Sequence, residues 1–456
     1  MGGMSEQQCD VVVVGLGPGG EALAARLAQA GLTVVAVEAE LVGGECPYWG
    51  CIPSKMLIRA ANALAEARRI DGLAGRAEVM PDFAPVAQRI REVATDDWDD
   101  TVAADRLADA GIRLVRGHGR LAGDRTVEVE TVDGVERLVA SRGVVLNTGT
   151  TATVPPIDGL ADTPFWTNRD ALQTLDAPES MVVIGGGAIG LELAQAFSRF
   201  GTDVAVLEVA PRILGPEEPE ASELMTEILT SAGIVIHAGI TIDGVAHDGT
   251  RFHVMCGDQT LEVEQVLVAA GRTSRIHDIG LDTVGVEASG RFLEVDDDQQ
   301  VIDGLWAIGD IVGRGAFTHV AMYQSERAAR SILGAPQEPY DTSLPRVTFT
   351  DPEVGAVGLT EQQARDRGLS VEVKTSNVAQ SSRGFVHGPG NDGLIKLVID
   401  TDRDVLVGAT SIGETGGETL YGLAVAVRAE VPLATLRNSI YAYPTYWRAV
   451  ESTLAT

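Results

Sequence analysis

Residues 10–38 read DVVVVGLGPGGEALAARLAQAGLTVVAVE, and residues 180–208 read SMVVIGGGAIGLELAQAFSRFGTDVAVLE. The second stretch repeats the plan of the first at an offset of 170 residues: Gly15, Gly17 and Gly20 return as Gly185, Gly187 and Gly190, Gly31 as Gly201, and Glu38 as Glu208. Each copy runs from an apolar strand through G-x-G-x-x-G into an Ala-rich helix, a glycine stop and a second apolar strand ending in Glu, the pattern of a βαβ unit of about 30 residues. The first glycine makes a tight turn, the second lets backbone approach a pyrophosphate, and the third lets helix and strand pack closely. The helix N-terminus offers free N–H groups and a positive dipole end to the phosphates, and the Glu accepts from ribose hydroxyls. One such fingerprint is equally well a set of packing or turn glycines. Two copies, each with its Glu 18 residues after the third glycine, predict a chain that binds two dinucleotides.

Around the repeats the chain reads as a helical stretch from Met56 to Arg69, then a variable segment with Asp96, Asp97, Asp99 and Asp100, expected to be a solvated helix face or loop. Residues 113–143 and 251–272 read as β-rich excursions, the first returning to a buried strand and turn at Val144–Thr150 and the second ending in VLVAAGR. A further apolar strand, LWAIGD, covers 305–310, and from Pro345 the glycine fingerprints give way to strands alternating with short helices, a separate α+β domain. The 456 residues suit two to four domains.

Hydrophobic residues make up 45% and charged residues 22%, which excludes a disordered or collagen-like chain. The net charge of −30 argues against nucleic acid or an anionic membrane as the main partner, because both need a basic face. There is no run of 18 apolar residues, so a soluble, cytoplasmic protein is expected. Four cysteines, Cys9, Cys46, Cys51 and Cys256, are too few for a disulfide scaffold.

Cys46 and Cys51 lie in GGECPYWGCIPSK, directly after the first βαβ unit. A zinc site needs about four ligands, and no second cysteine pair or neighbouring His supplies them. A structural disulfide fits a cytosolic chain poorly, whereas a redox-active pair fits both compartment and place. In a regular helix, residues five apart rise about 7.5 Å and point to different sides, while a disulfide wants Cα atoms within about 7 Å. The segment is therefore expected to be distorted, with Pro47 and Gly50 suited to it. Ile52-Pro53-Ser54-Lys55 is expected to open a helix and lower a nearby thiol pKa. Cys9 and Cys256 match no motif and read as buried small residues.

The whole chain resembles the class I flavoprotein disulfide reductases, the pyridine nucleotide–disulfide oxidoreductases that include dihydrolipoamide dehydrogenase, glutathione reductase and mercuric reductase. The resemblance rests on the cysteine pair followed by IPSK, the NTGT turn Asn147–Thr150, Gly271-Arg272, AIGD (Ala307–Asp310), THVA (Thr318–Ala321) and FTDPEVGAVGLTE (Phe349–Glu361), in the family's order. It implies an α/β fold with two Rossmann-like domains, FAD on residues 1–150 and 275–340 and NAD(P) on 151–274, plus a C-terminal α+β dimerisation domain on 345–456. For FAD it implies Gly15, Gly17 and Gly20 at the pyrophosphate, Glu38 on the adenosine ribose and Asp310 on the ribityl–phosphate side. Gly44, Lys55, Gly119, Thr148, Gly149, Thr318 and His319 complete the cofactor contacts. The nicotinamide nucleotide falls to Gly185, Gly187, Gly190, Glu208 and Gly271, with NADH preferred over NADPH because a 2′-phosphate would meet the Glu208 carboxylate. Arg212 nearby is a residue type that accommodates such a phosphate. The resemblance makes Cys51 the charge-transfer thiolate facing the flavin, Cys46 the thiol that attacks the substrate, and Lys55 with Glu192 an ion pair near the flavin. It also implies a homodimer whose C-terminal domain completes the partner's active site.

One motif departs. The family's C-terminal H-P-T-x-x-E is matched by Tyr443-Pro444-Thr445-Tyr446-Trp447-Arg448, so Tyr443 stands in the place of the acid/base His and Arg448 in that of the Glu. The seven His lie elsewhere, at 118, 237, 247, 253, 277, 319 and 387. The aromatics Tyr441, Tyr443, Tyr446 and Trp447 are read either as part of a site or as interface packing. Mercuric reductases also use tyrosines here, but they carry a C-terminal cysteine pair, and no cysteine follows Cys256 in this sequence. The expected function is therefore an FAD-dependent NAD(P)H oxidoreductase passing electrons through Cys46 and Cys51 to a small disulfide-type acceptor. The alternatives are a dehydrogenase reducing a quinone or metal ion, and a non-catalytic redox sensor holding FAD.

Overall fold

The computed structural model describes residues 5–288 and 290–455, which divide into two compact units. The first takes the chain to residue 53, then 89–152 and 272–340; the second takes 54–88, 153–271 and the chain from 341.

Among the described residues the first unit is built on an eight-stranded sheet. Its centre is the strand Ser5–Val14, flanked in parallel by Val34–Glu38 and Gly134–Leu146, with Arg113–Arg116 beyond the former and Leu305–Ala307 beyond the latter. Val11 to Val14 are at most 4% exposed. A β-branched run buried on both faces is what a central parallel strand requires. The β-rich excursion forms two antiparallel strands, His118–Leu121 and Thr126–Thr131, added to Gly134–Leu146. The helix Pro18–Gln29 begins with Pro at its first turn, where the missing N–H costs nothing. It buries Gly20, Leu23, Ala24 and Leu27, an i, i+3, i+4, i+7 stripe, against the sheet.

In the second unit the strands Val235–Ala238, Asp203–Glu208, Ser180–Ile184 and Gln265–Val268 lie side by side in that order, all parallel. This is the order of Arg113–Arg116, Val34–Glu38, Ser5–Val14 and Gly134–Leu146 in the first unit. The repeat holds at single hydrogen bonds: Gly15 N donates to Val37 O and Gly185 N to Leu207 O, each at 2.8 Å. The excursion at 251–272 contributes to a three-stranded antiparallel sheet, Gly244–His247, Phe252–Cys256 and Gln259–Val263. From residue 346 a five-stranded antiparallel sheet carries the helix Gly416–Arg428, whose Leu420, Leu423 and Ala424 share a core with Leu397, Ile399 and Leu406.

The acidic cluster is not uniformly solvated. Asp100 is 9% exposed, accepts from Val42 N at 2.6 Å and pairs with Arg116. It anchors the start of the helix Thr101–Asp109 instead of facing water.

Candidate active site

The cysteine segment gets its distortion from glycine. Gly43 and Gly44 both take positive φ (109° and 63°), a short helix runs Glu45–Trp49, and Gly50 breaks it at φ −134°, ψ −112° before a second helix starts at Cys51. That break, where Gly50 was expected to matter, brings two cysteines five residues apart into hydrogen-bond contact as thiols. The hydrogen bond with Cys51 and then burial push the Cys46 thiol well above the usual range, with the Thr318 hydroxyl pulling the other way. Cys51 Sγ lies 3.3 Å from Thr318 Oγ1, the first residue of the helix Thr318–Leu333. His319 follows it and stacks on Phe317.

The dinucleotide cradle of this unit is built from close backbone approaches. A Cβ at Gly15 would fall 2.3 Å from the Asn147 carbonyl oxygen, at Gly20 2.1 Å from Gly15 O, and at Gly44 2.9 Å from Gly17 Cα. Asn147 Nδ2 donates to Gly15 O, while Gly149 takes positive φ beside open space. Glu38 accepts from Leu16 N and Glu40 N, both at 2.7 Å, and burial raises its carboxyl. Asp310, also raised by burial, accepts from Thr150 Oγ1 at 2.8 Å. Thr148 donates to Arg275 O at 2.6 Å, and Gly119 packs against Val37 and Val14. Narrow glycine turns, a helix N-terminus and a carboxylate at the end of the second strand fit an adenine dinucleotide.

The second unit repeats the device. Glu208 accepts from Gly186 N and Ala210 N at 2.7 Å, the counterparts of Leu16 and Glu40 at the same 170-residue offset. A Cβ at Gly185 would clash with Ala269 O and one at Gly190 with Gly185 O, while Gly187 and Gly271 face open space. Arg212 spends its guanidinium on three carbonyls, those of Leu214, Gly215 and Glu217. Lys55 Nζ is 2.8 Å from Glu192 Oε2 and stands over the Phe349 ring, while Glu192 Oε1 accepts from Phe349 N. Phe349 was quoted only as a motif letter, without this role.

At the C-terminus, Tyr441 stacks on Trp447 at 6.0 Å and donates to Leu436 O. Tyr446 donates to Glu414 at 3.0 Å, and burial with that carboxylate pushes its phenol up to about 12. Tyr443 is 72% exposed, with the Arg448 guanidinium over its ring and Arg448 itself paired with Glu451. The sequence reading missed a His–Glu contact in this unit: His387 Nδ1 lies 3.1 Å from the same Glu414 oxygen. Its members are 27 residues apart and carry no motif.

Among the described residues no helix is long and apolar enough to cross a membrane, and no group of three or more His, Cys, Asp or Glu side chains is arranged to hold a metal ion.

Paired βαβ cradles and a vicinal-thiol segment define the class. Residues 9–325 match the pyridine nucleotide-disulphide oxidoreductase family and residues 344–453 its dimerisation domain, and the chain belongs to that family, whose members are flavoprotein oxidoreductases. The dihydrolipoyl dehydrogenase of Chlorobaculum tepidum is 34% identical over 452 residues, 97% of this chain and 96% of the relative. The mercuric reductase of Shewanella putrefaciens is 30% identical, over 97% of this chain and 80% of the relative. Among solved structures, the Cu(II) complex of the HOCl-induced flavoprotein disulfide reductase RclA from Escherichia coli superposes with a TM-score of 0.87 at 26% identity, covering 98% of this chain and 99% of that one.

Proposed function

We propose that this protein is an FAD-dependent NADH oxidoreductase that passes electrons through Cys46 and Cys51 to a small acceptor needing little base catalysis. The observation that carries the reading is the pair of thiols in mutual contact, with the Thr318 hydroxyl beside them, in the unit that holds the first dinucleotide cradle. FAD is assigned to residues 1–150 and 275–340, NADH to 151–274, and a homodimer interface to 345–456. When bound, FAD supplies the relay between a hydride donor and a disulfide. Gly15, Gly17, Gly20 and Gly44 give the pyrophosphate room, and Glu38 and Asp310 accept from ribose and ribityl hydroxyls, while Lys55 is held by Glu192 in the second unit. Gly185, Gly187 and Gly190 admit the second pyrophosphate, and Glu208 selects the unphosphorylated ribose. Cys46 is assigned the attack on the acceptor, its proton passing to the Cys51 sulfur it hydrogen-bonds, and Thr318 supports the charge on the pair. Tyr443 and Arg448 are assigned as hydrogen-bond donors toward the acceptor, in the place of an imidazole and a carboxylate.

The second reading, a metal ion as acceptor, is supported by the mercuric reductase relative and the copper-bound RclA structure. Anaerobic NADH titration followed by a panel of disulfides, quinones, Hg²⁺ and Cu²⁺ separates the two. Turnover of none of them, with slow flavin reduction, would overturn both in favour of a sensor.

A further inference from the structure

A directed chain of hydrogen bonds in the first unit ends at the cysteine segment. Arg272 Nε donates to Thr150 Oγ1 at 2.7 Å, and Thr150 Oγ1 in turn donates to Asp310 Oδ2 at 2.8 Å. Arg272 Nη2 donates to Thr150 O at 2.9 Å and lies 3.5 Å from Glu45 Oε2. A hydroxyl has one proton to give, so the chain has one direction, from guanidinium through hydroxyl to the accepting carboxyl oxygen of Asp310. Glu45 opens the short helix whose next residue is Cys46. Arg272 and Glu45 side chains keep 18% and 28% of their exposure, so their charges are only partly screened by water. Both charges reach Asp310: after burial and the Thr150 hydrogen bond, Arg272 pulls its carboxyl down and Glu45 pushes it up. Arg272 thus stands as a cation between two carboxylates, one in the first dinucleotide cradle and one on the residue next in sequence to Cys46.

We propose that Arg272 is a positioning residue of the redox centre, holding Glu45 and through it the helix that carries Cys46, and that the Arg272–Glu45 pair sets the reduction potential of the Cys46–Cys51 couple. The inference rests on the reading of Cys46 and Cys51 as that couple. Reduction breaks the S–S bond and makes two S–H bonds, using the hydride that NADH gives up in becoming NAD⁺ and one proton from water. Where one of the two thiols releases its proton, the charge that forms is opposed by a nearby carboxylate and favoured by a nearby guanidinium. Glu45 alone therefore favours the disulfide, Arg272 alone favours the reduced pair, and together they offset one another.

The test titrates the thiol–disulfide equilibrium of the purified holoenzyme in dithiothreitol buffers at pH 7, with thiol trapping of Cys46 and Cys51 and the rate of iodoacetamide alkylation of the reduced protein. Arg272→Met is expected to lower the dithiol:disulfide ratio about tenfold, a potential about 30 mV more negative, and to slow alkylation. Glu45→Gln is expected to move both readouts the other way. The Glu45→Gln, Arg272→Met double variant is expected to return close to wild type, because each charge matters chiefly through the other, and Arg272→Lys is expected to keep most of the wild-type potential. Shifts of the same sign in the two single variants, or an unshifted potential in Glu45→Gln, would overturn the inference. Should Arg272→Met fail to fold, Glu45→Gln and Arg272→Lys decide it alone. A wild-type protein in which Cys46 and Cys51 never form a disulfide defeats the underlying reading instead, and is distinguished by the same trapping.

Discussion

The Thr318 hydroxyl lies 3.3 Å from the Cys51 sulfur and also stabilises charge on Cys46, so one side chain serves both sulfurs of the pair. Thr318→Val keeps the shape and removes the donor. A hydrogen bond to a charged group contributes about 1.5–3 kcal/mol, so alkylation of the reduced pair at neutral pH is expected to slow about tenfold. The long-wavelength charge-transfer band formed on two-electron reduction should weaken with it. An unchanged alkylation rate would show that the hydroxyl does not support the thiolate.

The expected preference for NADH rests on Glu208 and Arg212. Glu208 is fixed by two backbone amides, and a 2′-phosphate would bring like charge against it. Arg212, the residue type that could rescue such a phosphate, is committed to the carbonyls of Leu214, Gly215 and Glu217. NADH is expected to give a kcat/KM at least tenfold above NADPH, and Glu208→Gln to narrow that ratio mainly by weakening NADH. A higher kcat/KM for NADPH in the wild type refutes the assignment.

The repeat, its strand–helix order and the broken helix at Gly50 were legible because each is written in a short span, in glycine positions and apolar period. What escaped was non-local. Asp100 looked like one of four solvated carboxylates, yet it meets Val42 from 58 residues away. Arg272 was visible as a motif letter, but its place between Thr150, Asp310 and Glu45 depends on three separated segments. His387 ends a short helix and Glu414 lies in a turn 27 residues on, and no spacing rule connects them. Helix and strand periods predict which face a side chain takes within one element, not which partner it meets from another.

Lys396 shows the same limit, and it bears on stability. It is 1% exposed and is held by Glu218 at 3.0 Å, Glu220 at 2.8 Å and Glu361 at 3.2 Å. Burial works against its charge, but the hydrogen bonds it donates to Glu220 and Glu218 outweigh it and hold the ammonium above its usual value. Its contribution is therefore in full below about pH 10.4, the unfolded lysine value, and is lost as pH rises through the higher folded one. Glu361, lowered first by Arg365, contributes above about pH 4.3 and loses that contribution as pH falls through its folded value. Lys396→Met strands the buried Glu218 carboxylate and is expected to cost about 3–5 kcal/mol in denaturant unfolding at pH 7. Adding Glu218→Gln should recover part of it; a single variant as stable as wild type would sink the account.

The last prediction concerns the segment at Tyr443. In dithiol–disulfide exchange the leaving thiolate must gain a proton, and in the reverse direction the substrate thiol must lose one. A positioned His does this because it titrates near working pH, contributing about 10²–10⁴-fold. Tyr443, 72% exposed under the Arg448 guanidinium, offers a phenol and a guanidinium where the family motif has an imidazole and a carboxylate. The Tyr446 phenol is raised by burial and by Glu414. Poor turnover is therefore expected with dihydrolipoamide or oxidised glutathione. Faster turnover is expected with an activated disulfide, a quinone or a metal ion, whose reduction needs no strong base. Efficient dihydrolipoamide oxidation by the wild type would contradict this directly. Tyr443→His with Arg448→Glu is expected to rebuild a His–Glu dyad in register with Pro444 and Thr445, and lipoamide activity should rise at least tenfold with a new pH dependence near neutrality. If it does not rise while flavin reduction by NADH is intact, the aromatic segment acts as packing and not as part of the acceptor site.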